Sequence, residues 1–168
     1  MKDLPHKTAV PRAYPIRSAT AEDIPELREL FRSTVLTVNA KDYTQAETAD
    51  WASCGDSTAH WEKLLAGLLF LAALDESGRI IGFSAIRNDG YLHSLFVHKD
   101  WQRKGVASAL LSETETCAIR EFGATAVTSE VSITARPFFE KHGYATVKEQ
   151  KAQANRLRLT NYVMTKKL

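Results

Sequence analysis

The stretch Leu95-Phe-Val-His-Lys-Asp-Trp-Gln-Arg-Lys-Gly-Val-Ala107 decides how this sequence is interpreted. Its first residues end an apolar strand, and a helix begins around Gly105. A helix N-terminus offers unpaired backbone N–H groups and the positive end of the helix dipole. Gly105 lets the backbone approach a ligand closely because it has no side chain, and Arg103 and Lys104 add positive charge. Residues 102–107, here called the phosphate turn, are therefore predicted to bind a pyrophosphate.

The same pattern also fits an ordinary strand–loop–helix connection whose basic residues are solvated. It is neither a P-loop nor a Rossmann fingerprint, because the sequence contains neither glycine pattern. The surrounding elements are therefore needed to choose between the two interpretations.

The segments before the phosphate turn change from helical to strand periodicity. A short strand is predicted at residues 14–17, and Thr-Ala-Glu-Asp at 20–23 matches the capping-box pattern that begins a helix. Further helices are predicted at residues 44–52 and 58–66. Three strands separated by turn signals follow at residues 68–74, 79–87 and 91–98.

After the phosphate turn, helices and strands alternate. A helix to residue 122, a strand at 125–131 and a helix at 134–141 precede two final strands at 145–149 and 157–166. A hairpin meander followed by βα units predicts an α/β (α+β) layer fold with a mixed sheet.

Composition favours one ordinary globular domain. The 168 residues are 44% hydrophobic and 25% charged, with a formal net charge of +2. This charge is too small to indicate a nucleic-acid or membrane-surface partner, and no apolar run approaches the ~20 residues that span a bilayer. Residues 1–14 are interpreted as a flexible leader and 15–168 as the domain. A cytoplasmic protein with its two cysteines free is expected.

Two motifs resemble the GNAT superfamily of acetyltransferases. Gln102, Gly105 and Ala107 occupy the fixed places of its Q/R-x-x-G-x-G/A motif. The stretch Thr134-Ala-Arg-Pro-Phe-Phe-Glu-Lys-His-Gly-Tyr144 resembles its A-R-x-F-Y-E-K-x-G-F helix. The resemblance covers residues 15–168 and is closest to small bacterial members. It implies a GNAT fold with six to seven strands in its central sheet and an acetyl-CoA-dependent N-acetyltransferase, with acetyl-CoA as co-substrate.

The resemblance also assigns residues to acetyl-CoA. The backbone of the strand ending at Val97 would bind the pantetheine arm and the thioester carbonyl, and Ser132 stands where the family usually has asparagine. Phe139 replaces the usual tyrosine acid and has no proton to donate. The residues assigned to acetyl-CoA are Leu95, Phe96, Val97, Gln102, Arg103, Lys104, Gly105, Val106, Ala107, Ser108, Ser132 and Phe139.

His93 is the first candidate general base, because an unperturbed histidine titrates near neutrality. Strand alternation predicts that Tyr91, His93 and Leu95 share one face. Tyr91-Leu-His93 resembles the histidine pair of arylalkylamine N-acetyltransferases, with Tyr91 replacing one member. A packed sheet histidine is the alternative.

Glu130, near the end of its strand, is the second candidate base, with a solvated carboxylate as the alternative. Tyr144 is a candidate proton donor, as are Tyr91 and Tyr162. Core packing is the alternative role of Tyr144. Cysteine and histidine spacing predicts no metal site.

The acceptor remains open at this stage. Aromatic residues that would line its pocket are Phe31, Tyr43, Trp51, Trp61 and Phe83. A small-molecule amine such as a metabolite, polyamine, antibiotic or toxic amine is the first hypothesis. A protein lysine or N-terminal amine is the second, and a non-catalytic CoA-binding module, favoured by Phe139, is the third. A homodimer through the late strands is left open by the resemblance.

Overall fold

Seven strands form one mixed sheet in the computed structural model, which describes residues 13–168. The strands are β1 (Ile16–Ser18), β2 (Leu69–Leu74), β3 (Ile80–Ile86), β4 (Tyr91–Val97), β5 (Ala126–Ser132), β6 (Ala145–Gln153) and β7 (Arg158–Lys167). Their order across the sheet is β1-β2-β3-β4-β5-β7-β6. All neighbours are antiparallel except β4 and β5, which are parallel. The predicted mixed sheet is confirmed.

The α-helices of this part of the chain are α1 (Ile24–Thr37), α2 (Gln45–Ser53), α3 (Thr58–Gly67), α4 (Val106–Phe122) and α5 (Arg136–Lys141). The predicted capping box precedes α1, where the Thr20 N–H donates to the Asp23 carboxylate at 2.8 Å. Gly123 ends α4 in the left-handed conformation, as glycine does at many helix ends.

Several predicted boundaries were wrong, including the start of β1, which is Ile16 rather than residue 14. Helix α5 begins at Arg136 rather than at residue 134. Strand β6 extends to Gln153, four residues beyond the prediction, because it pairs along its whole length with β7 as an edge hairpin. Its polar residues lack the alternation from which a long strand is predicted. Most of the expected leader, residues 1–12, lies outside the described residues.

The two faces of the sheet are covered differently. Helices α1 and α3 cover one face, with an aromatic core in which the Phe83 ring stacks on Phe70 at 5.4 Å and lies 5.5 Å from Phe96. Helix α4 covers the other face, where Val106 and Leu110 pack against Ile81 and Val97. Each fully buried side chain of this size contributes roughly 1.5–3 kcal/mol by leaving water. The two layers hold β4 firmly at the middle of the sheet.

Candidate active site

A gap opens between β4 and β5. These parallel strands pair only through Tyr91 with Thr128 and Leu92 with Ser129. The Ser129 hydroxyl donates to the Leu92 carbonyl at 2.8 Å and closes the paired end. Beyond it the strands diverge, and a cavity of about 1160 Å³ continues from the gap towards α1, α2 and α4.

His93 is the extra residue of a β-bulge in β4. Ile86 of β3 faces Leu92, while the preceding Ala85 faces Ser94, so His93 has no partner across the pair. His93 is also the first residue of β4 beyond the pairing with β5. The bulge therefore places its side chain at the closed end of the gap.

The bulge overturns one prediction about side-chain direction. Leu95 pairs with Ser84, whose hydroxyl lies 2.7 Å from that of Thr114 on α4. Leu95 therefore points to the α4 face, whereas His93 and Ser94 point to the opposite, α1 face. Simple alternation placed His93 and Leu95 together, and it was wrong because a bulge shifts the side-chain period by one residue.

The backbone of β4 still faces the gap where the resemblance requires it. The His98 N–H donates to the Ile81 carbonyl of β3 at 2.8 Å, so alternate residues direct their polar groups to β3. The backbone N–H and carbonyl groups of Leu95 and Val97 are then directed to the gap. The Val97 carbonyl accepts from Thr34 Oγ1 at 3.1 Å and Gln102 Nε2 at 2.7 Å. An extended arm containing amides could bind the remaining groups.

The phosphate turn adopts two left-handed residues. Arg103 has φ 58° and Gly105 has φ 83°, and α4 starts directly after Gly105. The first intrahelical bond runs from the Ala109 N–H to the Gly105 carbonyl, so the first N–H groups of the helix have no helical partner. A Cβ at Gly105 would meet nothing within 4 Å. The turn therefore presents donors to open space, as an anion site requires.

Two side chains of the turn act within the protein. The Gln102 amide binds the Val97 carbonyl and anchors the turn to the end of β4. The Lys104 ammonium lies 5.1 Å from the centre of the Trp101 ring, and the Lys104 carbonyl accepts from the Tyr14 hydroxyl at 2.6 Å. Lys104 does not line the cavity, whereas Arg103 does. The side chain of Lys104 thus packs on Trp101 instead of lining the cavity.

His142 is a cavity residue that sequence reasoning did not select. Its Nε2 lies 3.1 Å from the Ser108 hydroxyl, and its Nδ1 lies 2.8 Å from the Phe138 carbonyl. The contact joins the first turn of α4 to the end of α5. The sequence signal for His142 is its position beside Gly143 in the second motif.

His93 shares its wall with two other titratable side chains, Tyr91 and Glu130. Reduced hydration in this wall lowers the pKa of His93, the positive charges of His60 and Arg87 act in the same direction, and Glu130 opposes them. The neutral imidazole is thus favoured at neutral pH.

The neighbours of His93 are also perturbed. Burial and the nearby Glu130 charge raise the pKa of Tyr91 to about 12. Glu130 itself is exposed and accepts from Gln150 Nε2 at 3.0 Å. The predicted candidate bases therefore line one cavity, and Tyr91 in the same lining stays protonated at neutral pH.

Tyr144 lies outside the cavity that contains His93 and Glu130. Its hydroxyl donates to Glu115 Oε1 at 2.8 Å, and Lys166 Nζ lies 3.0 Å from the same carboxylate. Its ring packs edge-on against Phe139 at 5.0 Å. Burial, followed by the Glu115 contact, raises the pKa of Tyr144. Tyr144 does not line the cavity, so its position contradicts a proton-donor role and matches the alternative of core packing.

Ser132, at the end of β5, and Phe139 of the second motif both line the cavity. The Ser132 hydroxyl accepts from the Ala135 N–H at 3.1 Å and so holds the entry to α5. Phe139 is buried. Tyr162, another candidate donor, does not line the cavity, and the Arg136 guanidinium lies 4.2 Å from its ring centre.

Tyr43 connects three segments at the cavity wall. Its hydroxyl donates to the Thr160 carbonyl at 2.7 Å and accepts from the Ile133 N–H at 2.9 Å. Burial raises its pKa. The expected acceptor-side aromatics Phe31, Tyr43, Trp51, Trp61 and Phe83 all line the cavity.

A carboxylate holds α2 against the β6–β7 hairpin. Asp50 accepts from the backbone N–H groups of Asn155, Arg156 and Leu157, at distances from 2.9 to 3.1 Å. Partial dehydration opposes ionisation, but the three N–H donors together lower the pKa of Asp50. This contact ties the helix that carries Trp51, a cavity residue, to the hairpin.

Comparison with known proteins agrees with this geometry. The family model described as an acetyltransferase (GNAT) domain matches residues 39–166. The chain belongs to the GNAT acetyltransferase family. This GNAT protein is 32% identical over 155 residues to YafP of Escherichia coli strain K12, which is described as an uncharacterized N-acetyltransferase. The match covers 89% of this chain and 93% of the relative.

Two solved structures show the same fold. One from Rhodopseudomonas palustris, described as a GCN5-related N-acetyltransferase and class-II aminotransferase, has a TM-score of 0.90 and 29% identity, covering 95% of this chain and 98% of that one. The PaiA N-acetyltransferase of Thermoplasma acidophilum, solved with coenzyme A, has a TM-score of 0.77 and 20% identity. The match covers 94% of this chain and 100% of that one.

Residues 13–168 contain neither a cluster of metal ligands nor a helix suited to a membrane. No three histidine, cysteine, aspartate or glutamate side chains are grouped there as metal ligands. Within the same residues, every helix is too short or too polar to cross a bilayer.

Proposed function

We propose that this GNAT protein transfers the acetyl group of acetyl-CoA directly to the primary amine of a small molecule. One observation carries the proposal: His93 lies at the closed end of the β4–β5 gap, and the phosphate turn follows the open end of the same strand. A thioester whose pyrophosphate binds the turn would extend along β4 towards His93.

The donor side fits acetyl-CoA in charge and in shape. The unpaired N–H groups after Gly105 and the Arg103 side chain suit a pyrophosphate. The backbone of Leu95 and Val97 suits the amides of a pantetheine arm. Of the described residues that line the cavity, Arg103, Lys41 and Lys141 are cationic and Glu130 is the single carboxylate, so a polyanion is favoured.

The reaction needs a neutral amine beside the thioester carbon. His93 accepts a proton as the amine attacks, a C–N bond forms and the carbonyl becomes an oxyanion. The C–S bond then breaks, and the electron pair leaves with the CoA sulfur. The pKa of His93 is lowered, so the base is present in its neutral form at neutral pH.

The leaving thiolate does not require a strong acid. A free thiol has a pKa of about 8.5, so a thiolate is a moderately good leaving group near neutrality. The leaving sulfur can take its proton from the His93 imidazolium or from a water molecule. This argument accommodates Phe139, which has no proton to donate.

Two other functions stay as alternatives. A protein lysine or N-terminal amine is the first of these, and it would have to extend into the cavity to reach His93. The missing hydroxyl at Phe139 is the observation that favours a CoA-binding module without catalysis. A cytoplasmic location and a homodimer remain predictions.

Calorimetric titration with acetyl-CoA tests the donor side, and amine-dependent release of free CoA thiol tests transfer. We expect micromolar binding, about −8 kcal/mol, and thiol release only when an amine is present. Binding without amine-dependent release from a broad amine panel would select the non-catalytic alternative. Failure of the folded protein to bind acetyl-CoA would reject the proposal altogether.

A further inference from the structure

The cavity has few groups that could bind positive charge. Glu130 is the single carboxylate among the described lining residues. A polyamine or an aminoglycoside carries several ammonium groups, and each needs a carboxylate or strong dipoles when it leaves water. Lys41 in the same lining would repel additional positive charge. The charges therefore suit an acceptor with one ammonium group.

The wall next to Glu130 and His93 is aromatic. Phe96 follows Ser94 by two residues on the α1 face of β4, a separation of about 7 Å. The Phe96 ring lies 6.1 Å from that of Trp51 and 5.1 Å from that of Phe31. Trp51 and Phe96 are half-buried and line the cavity, so part of each ring is available to a ligand.

Polar and apolar groups are thus separated along this wall. Glu130, His93 and Ser94 form a polar end, and Phe96 and Trp51 continue it as an apolar surface. An aromatic surface binds an aromatic or aliphatic group because apolar area is buried and rings pack together.

We infer that the acceptor is a monoamine whose single ammonium group is attached through a short linker to an aromatic or aliphatic body. The nitrogen would lie beside Glu130 and His93, and the body would lie against Phe96 and Trp51. This inference rests on the proposed transfer to small amines and narrows its substrate class. It excludes polyamines, aminoglycosides and lysine-rich peptides.

The test compares kcat/KM for 2-phenylethylamine, spermidine and a short lysine-rich peptide by release of CoA thiol. We expect 2-phenylethylamine to exceed both polycations by tenfold or more. Trp51→Ala should raise the KM for 2-phenylethylamine by about tenfold, the effect of losing roughly one aromatic contact, and leave acetyl-CoA binding unchanged. Trp51→Phe retains an aromatic face and is the matched control.

A second variant avoids disturbing the core. His60 is exposed and lines the cavity, so His60→Glu adds a carboxylate to the lining at little risk to folding. It should increase the kcat/KM for 1,3-diaminopropane relative to 2-phenylethylamine. Because both substrates use the same base, the ratio of their kcat/KM values cancels any change in the reactivity of His93.

The outcomes separate this inference from the proposed function. Efficient acetylation of spermidine or of the peptide, with weaker use of 2-phenylethylamine, would overturn the substrate class while the transfer reaction stands. The same holds if His60→Glu leaves the substrate ratio unchanged. No transfer to any amine would overturn both.

Discussion

The Nδ1 atom of His93 lies 2.7 Å from the hydroxyl oxygen of Ser94. If Nδ1 carries the proton and donates it to this hydroxyl, Nε2 is left unprotonated and can accept a proton from an amine. The same contact stabilises the imidazolium formed after proton transfer, because both ring nitrogens are then donors. The β-bulge creates the contact, since it places two consecutive side chains on one face.

Ser94→Ala should therefore reduce kcat and move the acid limb of the pH–rate profile to lower pH. Loss of an acceptor for Nδ1–H destabilises the charged imidazole and lowers its pKa further. We expect a reduction of about three- to tenfold, the effect of one hydrogen bond of about 1 kcal/mol. Ser94→Thr keeps the hydroxyl and should keep the profile. An unchanged acid limb in the alanine variant would show that Ser94 has no influence on the base.

The pH dependence of the unmodified enzyme tests His93 itself. The base must be neutral, so kcat/KM should rise with pH through one ionisation and level off above it. Because the pKa of His93 is lowered, this ionisation should fall below the ordinary histidine value of about 6.5. His93→Ala should lower kcat, remove this limb and leave acetyl-CoA binding unchanged. A limb that persists in His93→Ala would assign the base to another residue, with Glu130→Gln as the next variant to measure.

Two glycines of α4 provide a matched pair. Gly105 before the helix and Gly123 after it have φ 83° and 63°, and a Cβ at either would meet nothing within 4 Å. Alanine at either site should lose stability by about 1 kcal/mol from the left-handed backbone, measured by urea denaturation. Only Gly105→Ala should also weaken acetyl-CoA binding, and Gly105→Trp should abolish it by filling the space above the turn. Equal acetyl-CoA affinities in the two alanine variants would remove the turn from the cofactor site.

The Asp50 contact links acid stability to the acceptor side. A carboxyl whose pKa is lowered in the folded state stabilises the fold above its unfolded pKa of about 4, and this contribution is lost as pH falls through the folded value. Asp50→Asn should lower Tm at pH 7, and the difference from the unmodified protein should shrink with acidification below pH about 4.

Asp75→Asn is the control for that experiment. Asp75 also accepts backbone N–H groups, from Ser77 and Arg79, but in the β2–β3 turn. Both variants should lose stability, and only Asp50→Asn should raise the KM of the amine, because α2 carries Trp51. A rise in KM in both variants would indicate a general loss of structure.

Tyrosine variants distinguish core packing from proton donation. Tyr144→Phe should lower stability, because Glu115 and Lys166 lose a buried partner, and should leave kcat unchanged. Tyr91→Phe removes a hydroxyl that lines the cavity and is the informative comparison. A large loss of kcat in Tyr144→Phe alone would restore the proton-donor role that its position contradicts.

Local sequence patterns were sufficient to find the phosphate turn and to place the strands and helices approximately, except for the second half of β6. Periodicity gave β2, β3 and β4 within a residue or two because each is a compact apolar run between turn signals. Gly105 was identified because a residue without a side chain lets the backbone approach a ligand closely, and the structure adds that its backbone is left-handed, which also favours glycine.

The β-bulge and the side-chain contacts of the site depend on segments that are distant in the sequence. The bulge at His93 arises from the pairing of β4 with β3, and no residue type in that strand specifies it. The backbone of Lys104 is held by Tyr14, 90 positions earlier, and the partner of Tyr144 is Glu115 on α4. Single-sequence reasoning could name these residues but could not place their side chains.

The Tyr43 hydroxyl has a consequence for the order in which the molecule assembles. It bonds to Thr160, 117 positions further along the chain, and to Ile133, 90 positions away. Contacts of such long sequence separation form late in folding, because a large loop must close first. During synthesis on the ribosome, the amine pocket can therefore be completed only after nearly the whole chain has emerged, long after the first sheet hairpins are able to form.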